Sequence, residues 1–497
     1  MTKRGIRWPI GVAVVGFWIA MVGLLVHREL GAPRLAAGTA GRPADGSAVS
    51  DTRMIVRLAS GELAGEVRLA RGPATRDGVP GTEMTFEAEM GLRLLGKDTD
   101  LDLDGTVWRP EELPRAEIDF RIRSAEHDFR LTGEVAEGEL RARVLTAGET
   151  FPLTVPVDGE LLFAGGFGAT LELPRLEVGE EVRVDSFDPL TLSKSTARVR
   201  CLARETLDLL EGPVRTRRLE VVTGGLTTRA WVDEAGDVVR AETPVGLVLE
   251  RIPATAGPLP DPAAGGDGLG ELLDRTAIRP RGERPFRTAR EMIVELSGPG
   301  ELDLPTDDVQ SHLGGRRYRV AVPPSPGAGG GELAPVDPAH LAADPFVQSD
   351  HPKIRLRAAE IVGDEADPWR RALAIHGWVH GRLAKEPVVS IPSALEVLEQ
   401  ERGDCNEHTV LFTALARAAG VPTRIAIGVV WSDELGGFYY HAWPEVRVGD
   451  RWLWLDPTLG QPLADATHLK LLNGGIERWP QLLPYLGQLQ VEVLSIE

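Results

Sequence analysis

The chain has 497 residues, 42 % of them hydrophobic and 26 % charged, an ordinary composition for a globular protein too long for one core. Its net charge of −19, with no cluster of Lys or Arg, argues against a nucleic-acid partner, because phosphate binding needs grouped cations. Two to four domains are expected.

At the N-terminus the basic segment MTKRGIR precedes an uninterrupted apolar run from Trp8 to Val26. A signal-peptide core holds about 7–15 apolar residues and a spanning helix about 17–25, so 1–30 reads as a transmembrane anchor, with a cleaved signal as the alternative. The basic flank predicts a cytoplasmic N-terminus and a single-pass protein whose body faces the periplasm or extracytoplasmic side. Small, polar and Gly/Pro residues make 31–50 a flexible linker.

From 51 to 256 the pattern is short alternating runs such as AEIDFRIRS, LRARVLT and LTTRAWVD, separated by turn residues. Period-2 alternation predicts a β-rich antiparallel region, as one large curved sheet or two smaller domains. DEAGD (233–237) reads as a hairpin turn. In TARVRCLARE, Ala197, Val199, Cys201 and Ala203 alternate with arginines, which makes Cys201 an inert core thiol rather than half of a disulfide with Cys405. This region shows no catalytic constellation, and its partner is left open.

Pro/Gly-rich stretches at 253–268 and 323–335 make 257–336 a linker with a short β segment. From about 337 the chain becomes helical and then αβ, so 337–497 reads as one C-terminal domain. KIRLRAAEIVG is a short helix. The next helix opens with Asp367 as N-cap and Pro368 at its first position, and SALEVLEQER has Ser393 and Glu396 at capping-box spacing. The second helix carries His376 and His380 at i, i+4 in HGWVH, a spacing that can bind zinc, but the adjacent Glu of a metalloprotease helix is missing. No metal and no cofactor is assigned.

GDCNEHTVLFTALARAAGVP starts a helix at Cys405, with Asp404 as N-cap, Glu407 at capping-box spacing, and Gly420 and Pro422 beyond its end. A thiol in the first turn meets unpaired N–H groups and the positive end of the dipole, which predicts a lowered pKa and an anion-holding backbone. Glu407 and His408 either tune the thiol or merely cap and line the helix. Downstream, GFYYHAWPEVRVGDRWLWLDPT reads as a hairpin about Gly449-Asp450. Counting outward pairs Val448 with Arg451, Trp443 with Asp456 and His441 with Thr458, so His441 and Asp456 share a face. Tyr439, Tyr440, Trp443, Trp452 and Trp454 are core or the wall of a cleft, with Trp443 on the His441 face.

These three stretches, GDCNEHTVLFTALARAAGVPTR, YYHAWPEV and WLWLDPTLGQP, with DATHLKL after them, resemble the transglutaminase-like superfamily of papain-related folds, in the form of a bacterial membrane-anchored member. The resemblance covers about 345–475. It implies an α+β domain with a helix-borne Cys packed on an antiparallel sheet, Cys405 as nucleophile, His441 as general base and acid, and Asp456 as orienting carboxylate. The expected activity is thiol-dependent acyl transfer on a protein or peptide amide, by hydrolysis or transamidation. The alternative is a non-catalytic envelope scaffold that uses the same fold for binding.

Overall fold

The computed structural model describes residues 49–497 except 59–60, 95–96, 112–114, 125–127, 147, 157–161, 164–175, 189–192, 224–225, 244–246, 258, 260–276, 299–302, 327–335, 387–392, 476–477, 479–481, 483–484 and 486–487. The expected anchor lies outside the described residues, and so does nearly all of the 31–50 linker. Among the described residues no helix is long and apolar enough to cross a membrane. Two compact units divide the chain between Leu272 and Leu273.

The N-terminal unit is one fifteen-stranded sheet. Strands Ser50–Arg57 through Glu149–Pro156 follow one another as a meander of neighbours, and Ser50–Arg57 also pairs with Val248–Ile252 to join a second meander. Every pairing is antiparallel except a two-residue contact of Leu162–Phe163 with Glu181–Asp188. Alternation explains the sheet: Val67, Leu69, Phe86, Leu103, Phe120 and Leu131 are buried on one face. The opposite face carries cross-strand pairs such as Arg68–Asp51 and Arg130–Asp119, half-exposed and so worth little individually. Cys201 is fully buried on the apolar face, and neither it nor the buried Cys405 is part of a disulfide.

In the C-terminal unit, the helices are α1 (Pro352–Val362), α2 (Pro368–Arg382), α3 (Ala394–Gln400) and α4 (Cys405–Ala418). They pack near a four-stranded antiparallel sheet made of β1 (Thr423–Ser432), β2 (Gly437–Val448), β3 (Arg451–Trp454) and β4 (Leu469–Asn473), in the order β3-β2-β1-β4. Helix α4 lies against β2 and β1 and touches the other three helices, so it is buried nearly all round. Asp367 caps α2 as its sequence predicts, accepting from Trp369 and Arg370 N–H. Ser393 does not cap α3 with its hydroxyl. The fully buried Gln348 does that work, accepting from the Leu395 N–H and donating to Ser393 Oγ.

The segment from Arg281 to Ala321 contributes four strands to a second sheet of five, and the last strand of the chain, Gln490–Ile496, sits between Arg281–Gly282 and Glu291–Ser297. That segment is therefore in the same compact unit as α4. Buried polar groups fasten it to the four-stranded sheet. Gln310 accepts from the Lys470 N–H and donates to its carbonyl at 2.9 Å each, imitating a strand partner. The fully buried Lys470 ammonium is paired with Glu445 at 2.7 Å and with Asp307.

Candidate active site

Helix α4 begins as its sequence dictates. Asp404 Oδ1 accepts from the Asn406 N–H at 2.8 Å, and Glu407 Oε2 accepts from the Asp404 N–H at 2.9 Å. Gly403 precedes this box at a φ of 150°, where a Cβ would come within 2.2 Å of Glu407 Cβ. Glu407 thus caps the helix. His408 donates from Nδ1 to the Asp404 carbonyl at 2.6 Å, and burial pushes its pKa down to about 4, so the ring is neutral. Both cap or line the helix, and the Glu407 carboxyl also adds to the upward push on the Cys405 thiol.

Cys405 is fully buried in the first turn of α4. Its thiol pKa is pushed up, not down. Burial is the main cause, the neighbouring Asp404 carboxyl adds to it, and the Ala442 backbone N–H, bonded to the sulfur, opposes it. The sequence expectation counted the helix dipole and left out desolvation, which outweighs a dipole once no water reaches the sulfur. Asp404 is itself held well above the usual carboxylate range by burial and by Glu407 beside it.

The hairpin keeps the predicted register from Val448↔Arg451 to Glu445↔Trp454. It then ends, which corrects the expected pairing of His441 with Thr458. Asp456 starts a turn closed by its own bridge to Gln461, and Thr458 lies inside that turn. The acid still reaches its partner: His441 Nε2 and Asp456 Oδ2 are 2.8 Å apart, both fully buried. Burial raises the Asp456 pKa, but the His441 and His468 rings outweigh it and hold the carboxyl well below its usual range. An ionised carboxylate only accepts, so the proton between them sits on Nε2 of His441. Burial keeps that ring neutral, against the pull of Asp456, and leaves the lone pair on Nδ1. Nδ1 is buried and has no hydrogen-bond partner among the described residues.

Asp456 is held from three further sides. Its Oδ1 accepts from the Leu459 N–H at 2.8 Å. From α2, His376 donates to the Asp456 carbonyl at 3.1 Å and His380 to the Pro457 carbonyl at 2.8 Å. The HGWVH pair thus clasps the acid-bearing turn. The third contact is His468, whose Nε2 lies 3.0 Å from the same Oδ2 that His441 uses. The nitrogens of His441 and His468 and an oxygen of Asp456 lie within 4.8 Å of one another, close enough to suggest a metal site. The two contacts to Oδ2 have hydrogen-bond lengths, and His468 turns its other nitrogen to Asp465, so hydrogen bonding accounts for the group.

Tyr439, Tyr440, Trp443, Trp452 and Trp454 are all buried. Trp443 stacks beside His441 with ring centres 6.1 Å apart. Two site residues were not singled out from the sequence. His468 is marked there by the Asp-x-x-His spacing in DATHLKL. Lys385 has no motif at all; it pairs with Gly403, two residues before the cysteine, and burial pulls its ammonium pKa down against the charge of Asp456.

Residues 355–457 match the family model described as the Transglutaminase-like superfamily. A candidate cysteine protease from Cytophaga hutchinsonii is similar at 17 % identity over 44 % of this chain and 85 % of that one, with a TM-score of 0.28. A beta-barrel-like protein of a domain of unknown function from Brucella abortus is similar at 8 % identity over 41 % and 96 %, with a TM-score of 0.31. A candidate protease from Parabacteroides distasonis shares 11 % identity over 56 % and 66 %, with a TM-score of 0.20. No curated protein matches the chain. The helix-borne cysteine, the sheet beside it and the family match agree: residues 355–457 are a transglutaminase-like domain.

Proposed function

We propose that the protein is a thiol-dependent acyl-transfer enzyme acting on protein or peptide amides through Cys405, His441 and Asp456. One observation carries this reading: the buried His441–Asp456 hydrogen bond, which fixes Nε2–H toward the acid and leaves Nδ1 as a bare base. The residue after His441, Ala442, bonds the Cys405 sulfur through its N–H, so the base and the thiol belong to one local structure. In the resting state the pair is a neutral thiol and a neutral imidazole. As sulfur attacks the amide carbon, Nδ1 of His441 takes the thiol proton and Asp456 balances the imidazolium. The first-turn N–H of Cys405 is the donor offered to the tetrahedral oxyanion. When the C–N bond breaks, His441 returns the proton to the leaving amine. Water or a second amine, deprotonated by the same ring, then resolves the thioester.

The apolar run Trp8–Val26 supports a membrane anchor that places this chemistry outside the cytoplasmic membrane. The alternative, a binding scaffold, has one observation in its favour: the thiol is fully buried and its pKa is raised. The test is release of amine or ammonia from peptide amides by the purified full chain, with mass-spectrometric trapping of a thioester at Cys405. Cys405→Ala should abolish both. Parental turnover in that variant ends the catalytic reading in favour of the scaffold.

A further inference from the structure

His468 lies outside the expected triad, yet it is among the most thoroughly engaged side chains in the unit. Its Nε2 faces Asp456 Oδ2 at 3.0 Å, while Nδ1 faces the Asp465 carbonyl at 3.1 Å and the Asp465 carboxylate at 3.4 Å. Carboxylates and carbonyls accept and do not donate, so both ring nitrogens have only acceptors opposite them and the ring carries both protons. The second acid is fixed in its turn. Asp465 receives Arg287 at 3.0 Å, Gln461 at 2.7 Å and the Thr288 N–H at 3.3 Å. Thr288 has a φ of 84°, a strained conformation for a β-branched residue, and it turns its amide to that carboxylate. Arg287 and Thr288 lie well before the family-matched segment, in the strand-bearing stretch that the linker expectation covered.

We propose that His468 is a positioning residue, one that shares the Asp456 carboxylate with His441 and is held in place by Asp465 and Arg287. This rests on the reading of His441 and Asp456 given above. The alternating row Arg287, Asp465, His468, Asp456, His441 places two anions between two cations and a neutral ring. Its effect is twofold. Asp456 cannot rotate away from His441, because both of its oxygens are occupied. The His468 cation also offsets the Asp456 charge, so His441 binds its proton less tightly and stays a neutral base. Burial alone lowers the His468 pKa, but Asp456 and Asp465 outweigh it and the pKa is raised, in line with the hydrogen-bond geometry. The charged or titratable groups near the two rings are Asp456, Asp465, Arg287 and the Cys405 thiol, while Trp443 stacks on His441 and meets His468 edge-on.

The experiment uses the full chain and iodoacetamide, with alkylation counted at the Cys405 peptide by mass spectrometry across a pH series. In the parent, the low-pH limb reports loss of the proton from His441. His468→Gln keeps an N–H for Asp456 but removes the cation, so that limb should move up by about one pH unit, a tenfold change in proton affinity. A merely structural histidine would leave the limb in place when glutamine substitutes for it, and a superimposable profile overturns the proposal. His441→Gln is the companion. If it erases the limb while His468→Gln does not move it, the inference fails and the triad reading stands. If His441→Gln leaves the limb unchanged, the triad reading itself fails. Should His468→Gln not fold, histidine-selective 15N NMR of the parent decides: one buried ring must keep both ring protons well above the ordinary histidine range, and its absence overturns the proposal.

Discussion

At the scale of single residues, the site is governed by desolvation. Asp404, Cys405 and His408 lie at the N-cap and start of α4 and all favour their neutral forms, the acids by raised and the base by lowered proton affinity. His408 yields a pH prediction with a definite sign. Its pKa drops from 6.5 in the open to about 4 in the fold, so it contributes stability that is complete above about pH 6.5 and is lost as the pH falls through 4. A drop of that size corresponds to about 3 kcal/mol. His408→Gln should therefore flatten the acid limb of stability between those values in chemical denaturation curves, and an unchanged acid limb would show that the ring is not the buried neutral base described. His468, with a raised pKa, works in the opposite sense: its contribution is present below its unfolded pKa and is lost as the pH rises through the folded one.

At the scale of elements, the decisive contact is α2 on the turn from Asp456 to Gln461. Gly460 makes it feasible, at a φ of 71°, where a Cβ would lie 2.5 Å from the His380 ring. Gly460→Ala adds that clash to the backbone strain and should cost about 2 kcal/mol or more, with loss of amide turnover because the turn carries the triad acid. Gly420→Ala is the control: its φ of 76° is similar, but its nearest neighbour is an Arg371 nitrogen at 3.8 Å. Thermal melts and activity should show a larger defect at 460 than at 420. Equal losses would mean that the His380 approach is unimportant. Local elements were well marked in the sequence. Asp367-Pro368, Asp404 with Glu407, and Gly449-Asp450 fix helix starts and a hairpin register through bonds between near neighbours, and those starts and that register are present. Pro457, which lacks an N–H, set the end of β3 just past the acid, but the strand stops at Trp454, because the Asp456–Gln461 turn held by two histidines from another helix interrupts the pairing.

At the scale of the whole chain, the family-matched segment is not a closed structure. β4, His468 and Asp465 follow it, while Arg287, Asp307 and Gln310 precede it, and all contact the matched residues or their direct supports. Residues 355–457 produced alone should fail to fold, whereas 273–497 should fold and keep Cys405 alkylation like that of the full chain. Near-UV circular dichroism and peptide-resolved labelling check both, and a folded, labelled 355–457 fragment would refute the dependence. Deleting 490–497 from the longer fragment should abolish its cooperative melt, since Gln490–Ile496 is paired on both sides.

The sequence by itself determined the β-rich first half, the helix bearing Cys405 and the hairpin register about Gly449-Asp450, because alternation, caps and turns act between residues close along the chain. Only the tertiary structure decided that the thiol is neutral at rest, that HGWVH clasps a turn, and that Asp456 serves two imidazoles. Those properties depend on which distant groups share a water-free volume. Arg287 and His468 lie far apart in sequence, and no periodicity records that Asp465 stands between them.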